Sequence, residues 1–455
     1  MKKETVTTNQ ITEGVIWKQL LLFFFPIVLG TFFQQLYNTA DTIVVGRFVS
    51  KEALAAVGGS AAQIVGLIVG FFVGLASGAS VIISQFYGAK NRVQLNRALH
   101  TAYAFSIIGS IFITVLGILI APWMLELMHT PQETMADALL YLRIYFAGII
   151  FVFIYNVGSS ILRAMGDSRR PLYYLIVCCI LNIVLDIVLV IVFHMGVAGV
   201  SIATIFSQGV SAVLITRALM HSDDLYQLEF RKIRFHKSAL ISLIWVGCPT
   251  GIQSVLYSVT NMLIQTFLNN LGTDTVAAWS AFGKIDSLYW MVNNAFGIAI
   301  TTFVGQNFGA GKYDRMKKSV RIGLCMGLCT ALTLTLIFYN FGTPLFRLFT
   351  SDENVVSIGM QMLHHVAPAY CLFVFIELLS GARGTGDVVI PMLITCFGVC
   401  LLRIAWLFFI VPLSPGLNTI VLSYPVTWAI TAVMFIVYYC YQAKKWPKSS
   451  AKKTA

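Results

Sequence analysis

The chain has 455 residues, 58% of them hydrophobic and 11% charged, whereas a soluble globular domain carries about 25% charged residues. Its formal net charge of +12 is spread over every second loop rather than gathered in one patch, which points to a membrane and away from nucleic acid. Mean hydropathy is +0.80.

The residues up to Gly14 are polar and show no cleavage site, so no signal peptide is expected. Beyond them come apolar blocks of roughly 20–28 residues, each enough to cross about 30 Å of hydrocarbon at 1.5 Å per residue. They predict spans at 15–44, 54–83, 97–120, 137–161, 172–194, 196–218, 239–269, 275–305, 319–342, 357–381, 389–412 and 417–441. Strand-like alternation is absent, which argues against a β-barrel. The fold expected is an all-α membrane protein with twelve transmembrane helices in two six-helix pseudo-symmetric lobes. The N-terminal lobe is 1–218, the linker 219–238, and the C-terminal lobe with its basic tail 239–455. All nine cysteines lie inside apolar blocks, where they read as small buried apolar side chains without disulfides.

Even-numbered loops and the two tails hold 24 Lys and Arg residues. The opposite side holds only Arg47, Lys51 and Arg347. Both termini are therefore predicted to be cytoplasmic, in a cell (inner) membrane.

The chain repeats itself. Pro26 is followed twelve residues later by Asn38, and Pro249 by Asn261. The run Gln85-Phe86-Tyr87-Gly88-Ala89 matches Gln306-Asn307-Phe308-Gly309-Ala310. Arg163-Ala164-Met165-Gly166-Asp167, closed by Pro171, returns as Arg383-Gly384-Thr385-Gly386-Asp387, closed by Pro391. The offset of 220–223 spans six helices, an even number, so the halves share one orientation, as in parallel transporter repeats. Pro26 and Pro249 interrupt spans one and seven at equivalent points and are candidate hinges. Gly70, Gly74 and Gly78 form a stripe suited to close helix packing.

A charge at membrane depth is expensive unless it faces water or a partner. Of nineteen acidic residues, Asp41, Asp186, Asp286 and Glu377 fall at such depth. Gln34, Tyr37, Asn38 and Asp41 are spaced by three and four on one helix face. Asn182 and Asp186 share a face of span five, and Thr204 reaches the same outer depth on span six. These oxygen-bearing groups suit a hard cation, and the carboxylates equally suit a proton. A polar network that only orders the lobe is the plainer alternative. Gln34, Tyr37 and Asn38, with Met291 in span eight and Glu377 in span ten, are candidate substrate contacts. Glu377 has two readings: binding a cationic cargo, or neutralising Arg403 or Lys284. Span seven offers Gln253 and Tyr257 and no carboxylate. There is no Walker A loop and no catalytic or metal motif, so neither ATP, nor a cofactor, nor enzymatic chemistry is expected.

The Asp-Pro loops, the run Gly305-Gln306-Asn307-Phe308-Gly309-Ala310-Gly311 and the Pro26 helix ending in Asn38-Thr39-Ala40-Asp41 resemble the multidrug and toxic-compound extrusion (MATE) family, bacterial type. The resemblance covers about residues 15–440. It implies a V-shaped pair of six-helix lobes and a monomer that exports small cationic amphipathic compounds in exchange for H⁺ or Na⁺. It also implies that Asp41, Asn182, Asp186 and Thr204 match the family's cation-binding set. A flippase for lipid-linked precursors, from the same superfamily, is the competing function. It calls for a strongly basic cavity, whereas the coherent intramembrane set here is acidic.

Overall fold

The computed structural model describes residues 11–222 and 226–447. Outside it lie most of the polar start (1–10), three linker residues (223–225) and the end of the basic tail (448–455). Among the described residues the chain is almost wholly helical, with no strand. This is the arrangement that lets every backbone group bond internally in lipid.

Twelve long helical segments follow in order. We label them α1 (Ile16–Phe48), α2 (Ser60–Gly88, led by the short helix Lys51–Gly58), α3 (Arg92–Leu127) and α4 (Gln132–Ala147 with Ile149–Ala164). Then come α5 (Arg169–Val192), α6 (Gly196–Met220), α7 (Lys237–Asn269) and α8 (Thr273–Gly309). The last four are α9 (Tyr313–Arg347), α10 (Glu353–Thr385), α11 (Val389–Leu413) and α12 (Leu417–Lys445). Ten are both long and apolar enough to cross a bilayer, and α4, bent by 51° at Gly148, makes an eleventh. The twelfth, α8, has the length but carries Asp274, Lys284 and Asp286. The bend in α4 has a local cause. Gly148 lets α6 approach so closely that a Cβ there would overlap Ile205, and Thr114 Oγ1 donates to the Phe146 carbonyl at 2.8 Å.

The internal repeat is written into the turns. Ala89, Lys90 and Asn91 donate their N–H groups to Gln85, Tyr87 and Phe86, and Ala310, Gly311 and Lys312 donate to Gln306, Phe308 and Asn307. The second residue of each stop, Lys90 (φ 54°) and Gly311 (φ 70°), is left-handed. Gly166 (φ 96°) and Gly386 (φ 94°) close the other matched loop. Both α5 and α11 also loosen into π-helical turns, at Ile187–Val192 and at Cys396–Leu401 with Trp406–Ile410.

The chain packs as two compact units. One is Phe25–Gly251; the other comprises the residues to Phe24 and from Ile252 onward. The junctions fall beside Pro26 and Pro249, so each of the two proline helices is divided along its length. In the Phe25–Gly251 unit the core gathers Ala121, Leu142, Phe146 and Ile149. Gly74 and Gly78 of the expected stripe lie against the first half of α7, where their Cβ positions would sit 2.7 Å from the Gly251 Cα and 2.5 Å from the Gly247 Cα. Backbones meet there directly. In the other unit Tyr289 stacks on Tyr370 at 3.8 Å, with the buried Trp428 ring 6.5 Å from Tyr370. The cysteines are free, and Cys178, Cys179, Cys396 and Cys400 are buried. The expectation of uniform burial is corrected at Cys325, Cys329 and Cys440, which are exposed, and at Cys248 and Cys371, which are half-buried; an apolar block on a span's surface leaves its thiols uncovered by protein.

Candidate ion and substrate site

Within the Phe25–Gly251 unit, α1, α5 and α6 bring together the four residues singled out by depth. Asp41, Asn182, Asp186 and Thr204 are all buried, Asn182 and Asp186 completely. Asp186, Asn182 and Thr204 neighbour the Asp41 carboxylate. Thr204 Oγ1 lies 3.3 Å from Asp41 Oδ2 as donor and 3.0 Å from the Val200 carbonyl. The remaining polar atoms are not satisfied. Asp41 Oδ1, both oxygens of Asp186 and both terminal atoms of Asn182 are buried without a hydrogen-bond partner. Unpaired buried polar groups each cost about 1–3 kcal/mol, more for charged ones. Two adjacent carboxylates away from water also repel each other unless positive charge stands between them. Asp186 is placed at the point where α5 passes from α-helical to π-helical winding, a distortion common at functional sites.

The polar face of α1 divides. Tyr37 is buried and its hydroxyl accepts from Gln208 Nε2 at 3.3 Å. Gln34 and Asn38 are exposed. Sequence reasoning passed over Gln208, although it lies four residues beyond Thr204 on the same face of α6.

In the other unit the sequence left the charges unassigned, and the structure gives them partners. Asp286 accepts from Tyr370 Oη at 2.6 Å and from Trp290 Nε1 at 2.7 Å, so its carboxylate is held by neutral donors. Glu377 pairs neither with Arg403 nor with Lys284, which corrects that reading. Its partner is Arg383 of the repeated loop, Nη2 to Oε1 3.6 Å, six residues on in the same segment. Gly297 of α8 makes room for that carboxylate, because a Cβ there would overlap Glu377 Oε1. Lys284 is exposed, and Met291, on the same helix, is half-buried. Arg403 is 3% exposed. It donates to Thr427 Oγ1 at 3.0 Å and lies over the Tyr424 ring at 3.9 Å, with Trp428 further off at 5.8 Å. At the repeat offset of 220, Tyr424 is the counterpart of Thr204, Trp428 of Gln208 and Trp406 of Asp186. A guanidinium in an aromatic box thus occupies the region that corresponds to the acidic cluster. That correspondence was available from the repeat and was not drawn from it.

Twelve spans in two related halves, with an intramembrane polar cluster in one of them, define a polytopic membrane transporter. A family model described as MatE matches residues 26–188 and 249–409, and the chain belongs to the MATE family of transporters. It is 27% identical over 454 residues to a probable multidrug resistance protein, YoeA, of Bacillus subtilis, covering 97% of each chain. It is 30% identical over 395 residues to a second one, YpnP, from the same organism, covering 86% of this chain and 88% of that one. Among solved structures, a MOP superfamily transporter from Pyrococcus furiosus superposes with a TM-score of 0.91 at 22% identity, over 98% of this chain and all of that one. An outward-facing multidrug resistance MATE transporter of the same superfamily gives 0.90 at 21%, over 98% and 99%. The twelve-helix, two-lobed fold expected from the sequence is that of these structures.

Proposed function

We propose that this protein is a secondary active multidrug exporter that exchanges amphipathic cationic compounds for a coupling cation, H⁺ or Na⁺. Asp41, Asn182, Asp186 and Thr204 would hold the ion. The observation that carries this reading is the set of five buried, unpartnered polar atoms on Asp41, Asn182 and Asp186. A bound cation would take the carboxylate oxygens together with Asn182 Oδ1, and a proton would bridge the two carboxylates. The relatives named for multidrug resistance support a role in drug export. Gln34, Tyr37, Asn38, Met291 and Glu377 are our candidate cargo contacts, Pro26 and Pro249 our candidate hinges, and the duplicated lobes 1–218 and 239–455 the repeating units. Protons come naturally to a pair of carboxylates. Sodium comes naturally to the all-oxygen set that Thr204 and Asn182 complete.

The test is ethidium efflux from proteoliposomes under separately imposed Na⁺ and pH gradients. Asp41→Asn and Asp186→Asn should each abolish ion-driven efflux in protein that remains monodisperse and inserted. Wild-type rates in either variant would reduce the cluster to a structural network. We also propose that both termini face the cytoplasm, the side that carries the basic loops. A reporter fused after Lys445 that is active only outside the cell would overturn that orientation.

A further inference from the structure

A second feature lies apart from the ion cluster, within the Phe25–Gly251 unit. A cavity of about 310 Å³ opens where the first turns of α3 meet the linker that leads into α7. The linker is pinned to α3 at two places. The Glu229 N–H donates to His100 Nε2 at 3.1 Å, and the His236 N–H donates to Thr101 Oγ1 at 3.2 Å. Four cationic side chains line the wall (Arg92, Arg97, Lys232 and Arg234) against a single carboxylate, Glu229. Lys232 takes that carboxylate at 2.6 Å. Among the described residues no ion pair forms to Arg92, Arg97 or Arg234. His236 registers the uncompensated charge. Burial first, then Arg234, Arg97 and His100, hold its ring below the ordinary histidine range.

The cavity continues into an apolar track. An adjoining hollow runs from Arg97 and Arg234 past Phe235 to Ile241. From there α7 shows Ile241, Ile244 and Trp245 to its surroundings, 56%, 42% and 66% exposed. Their spacing of three, four and one keeps them on one side of the helix. A phosphate-bearing ligand would satisfy the three guanidinium groups. Only a ligand with hydrocarbon tails would also use the track that begins at their edge.

We propose that this cavity is a binding site for an anionic phospholipid, its phosphate among Arg92, Arg97 and Arg234 and its acyl chains along Ile241 and Trp245. An occupant would tie the linker between the two halves to the first turns of α3.

The test is titration of delipidated, detergent-solubilised full-length protein with short-chain phosphatidylglycerol or phosphatidylcholine, read by native mass spectrometry. Phosphatidylglycerol should bind in preference. Affinity should fall about fivefold for each arginine removed, to about a hundredfold in R92Q/R97Q/R234Q. The control K318Q/K444Q/K445Q removes the same charge elsewhere and should bind like wild type. R97Q alone, at an exposed side chain, should still show its fivefold loss where the triple variant is damaged. Unchanged binding in the arginine variants overturns the proposal, as does an equal loss in the lysine control. Displacement of the lipid by millimolar glycerol phosphate also overturns it, in favour of a soluble phosphate ester. None of these readouts depends on transport, so the outcome is independent of the function proposed above.

Discussion

Thr204→Val is the sharpest probe of the ion cluster, because it removes one oxygen while keeping the shape of the side chain. In the structure the hydroxyl hydrogen has two claimants, the Val200 carbonyl at 3.0 Å and Asp41 Oδ2 at 3.3 Å. With its hydrogen turned to the shorter bond, the oxygen keeps its lone pairs facing Asp41 and available to a cation. A hydroxyl oxygen facing a bound ion is a charge–dipole contact comparable to a hydrogen bond to a charged group, about 1.5–3 kcal/mol. The 3.3 Å length and the competing carbonyl place this one at the low end, about 1.5 kcal/mol, or about tenfold in an equilibrium constant. The half-saturating concentration of the driving ion should therefore rise about tenfold in T204V. The maximal efflux rate at saturating ion should stay close to wild type, since no cargo contact is touched. Thr204→Ser restores the oxygen and should restore the ion dependence. The assay is efflux from proteoliposomes across a series of imposed Na⁺ or proton gradients. An unchanged ion dependence in T204V, or a T204S variant as impaired as T204V, would refute the assignment of Thr204 as a ligand.

Two further outcomes follow from the helices. Pro26 removes a backbone donor inside α1, so Pro26→Ala should stiffen the helix and slow turnover more than it weakens equilibrium dye binding; equal effects on both would make the proline a packing feature. Gly78→Leu would drive a side chain into the Gly247 backbone, and because backbone cannot swing aside, a loss of at least about 3 kcal/mol is expected, read as a lower melting temperature and loss of monodisperse protein in detergent. A G78L variant as stable as wild type would mean that α2 and α7 can separate there without harm.

Much of the fold was legible because bilayer thickness and backbone satisfaction leave few alternatives. Span count, repeat and turn positions all follow from apolar block length and from Arg163–Pro171 recurring at Arg383–Pro391. The acidic cluster was legible for the same reason, since a carboxylate at membrane depth is conspicuous. The pairing of charges in the second half was not. Glu377 and Arg383 are joined by the local path of the chain as it leaves α10, and Asp286 is held by Tyr370 and Trp290, whose donors cannot be told from lipid-facing aromatics by spacing alone. The division of the α1 face also escaped the pattern. A spacing of three and four collects Gln34, Tyr37, Asn38 and Asp41 on one side of the helix, but only packing against α6 decides that Tyr37 turns in toward Gln208 while Gln34 and Asn38 stay out.

A duplicated chain begins with two copies of everything, and the fate of the second copy bears on energetics. Arg403, boxed by Tyr424 and Trp428, gives one half a positive charge that is covalently tethered and never leaves, where the other half has groups that call for a charge from solution. On the proposed function, consider one monovalent ion traded per cycle. Swapping it for a singly charged cargo moves no net charge across the membrane, so voltage neither drives nor brakes the exchange. The concentration ratio of the ion alone sets the limit: an ion gradient of about tenfold can hold a cargo gradient of about tenfold and no more.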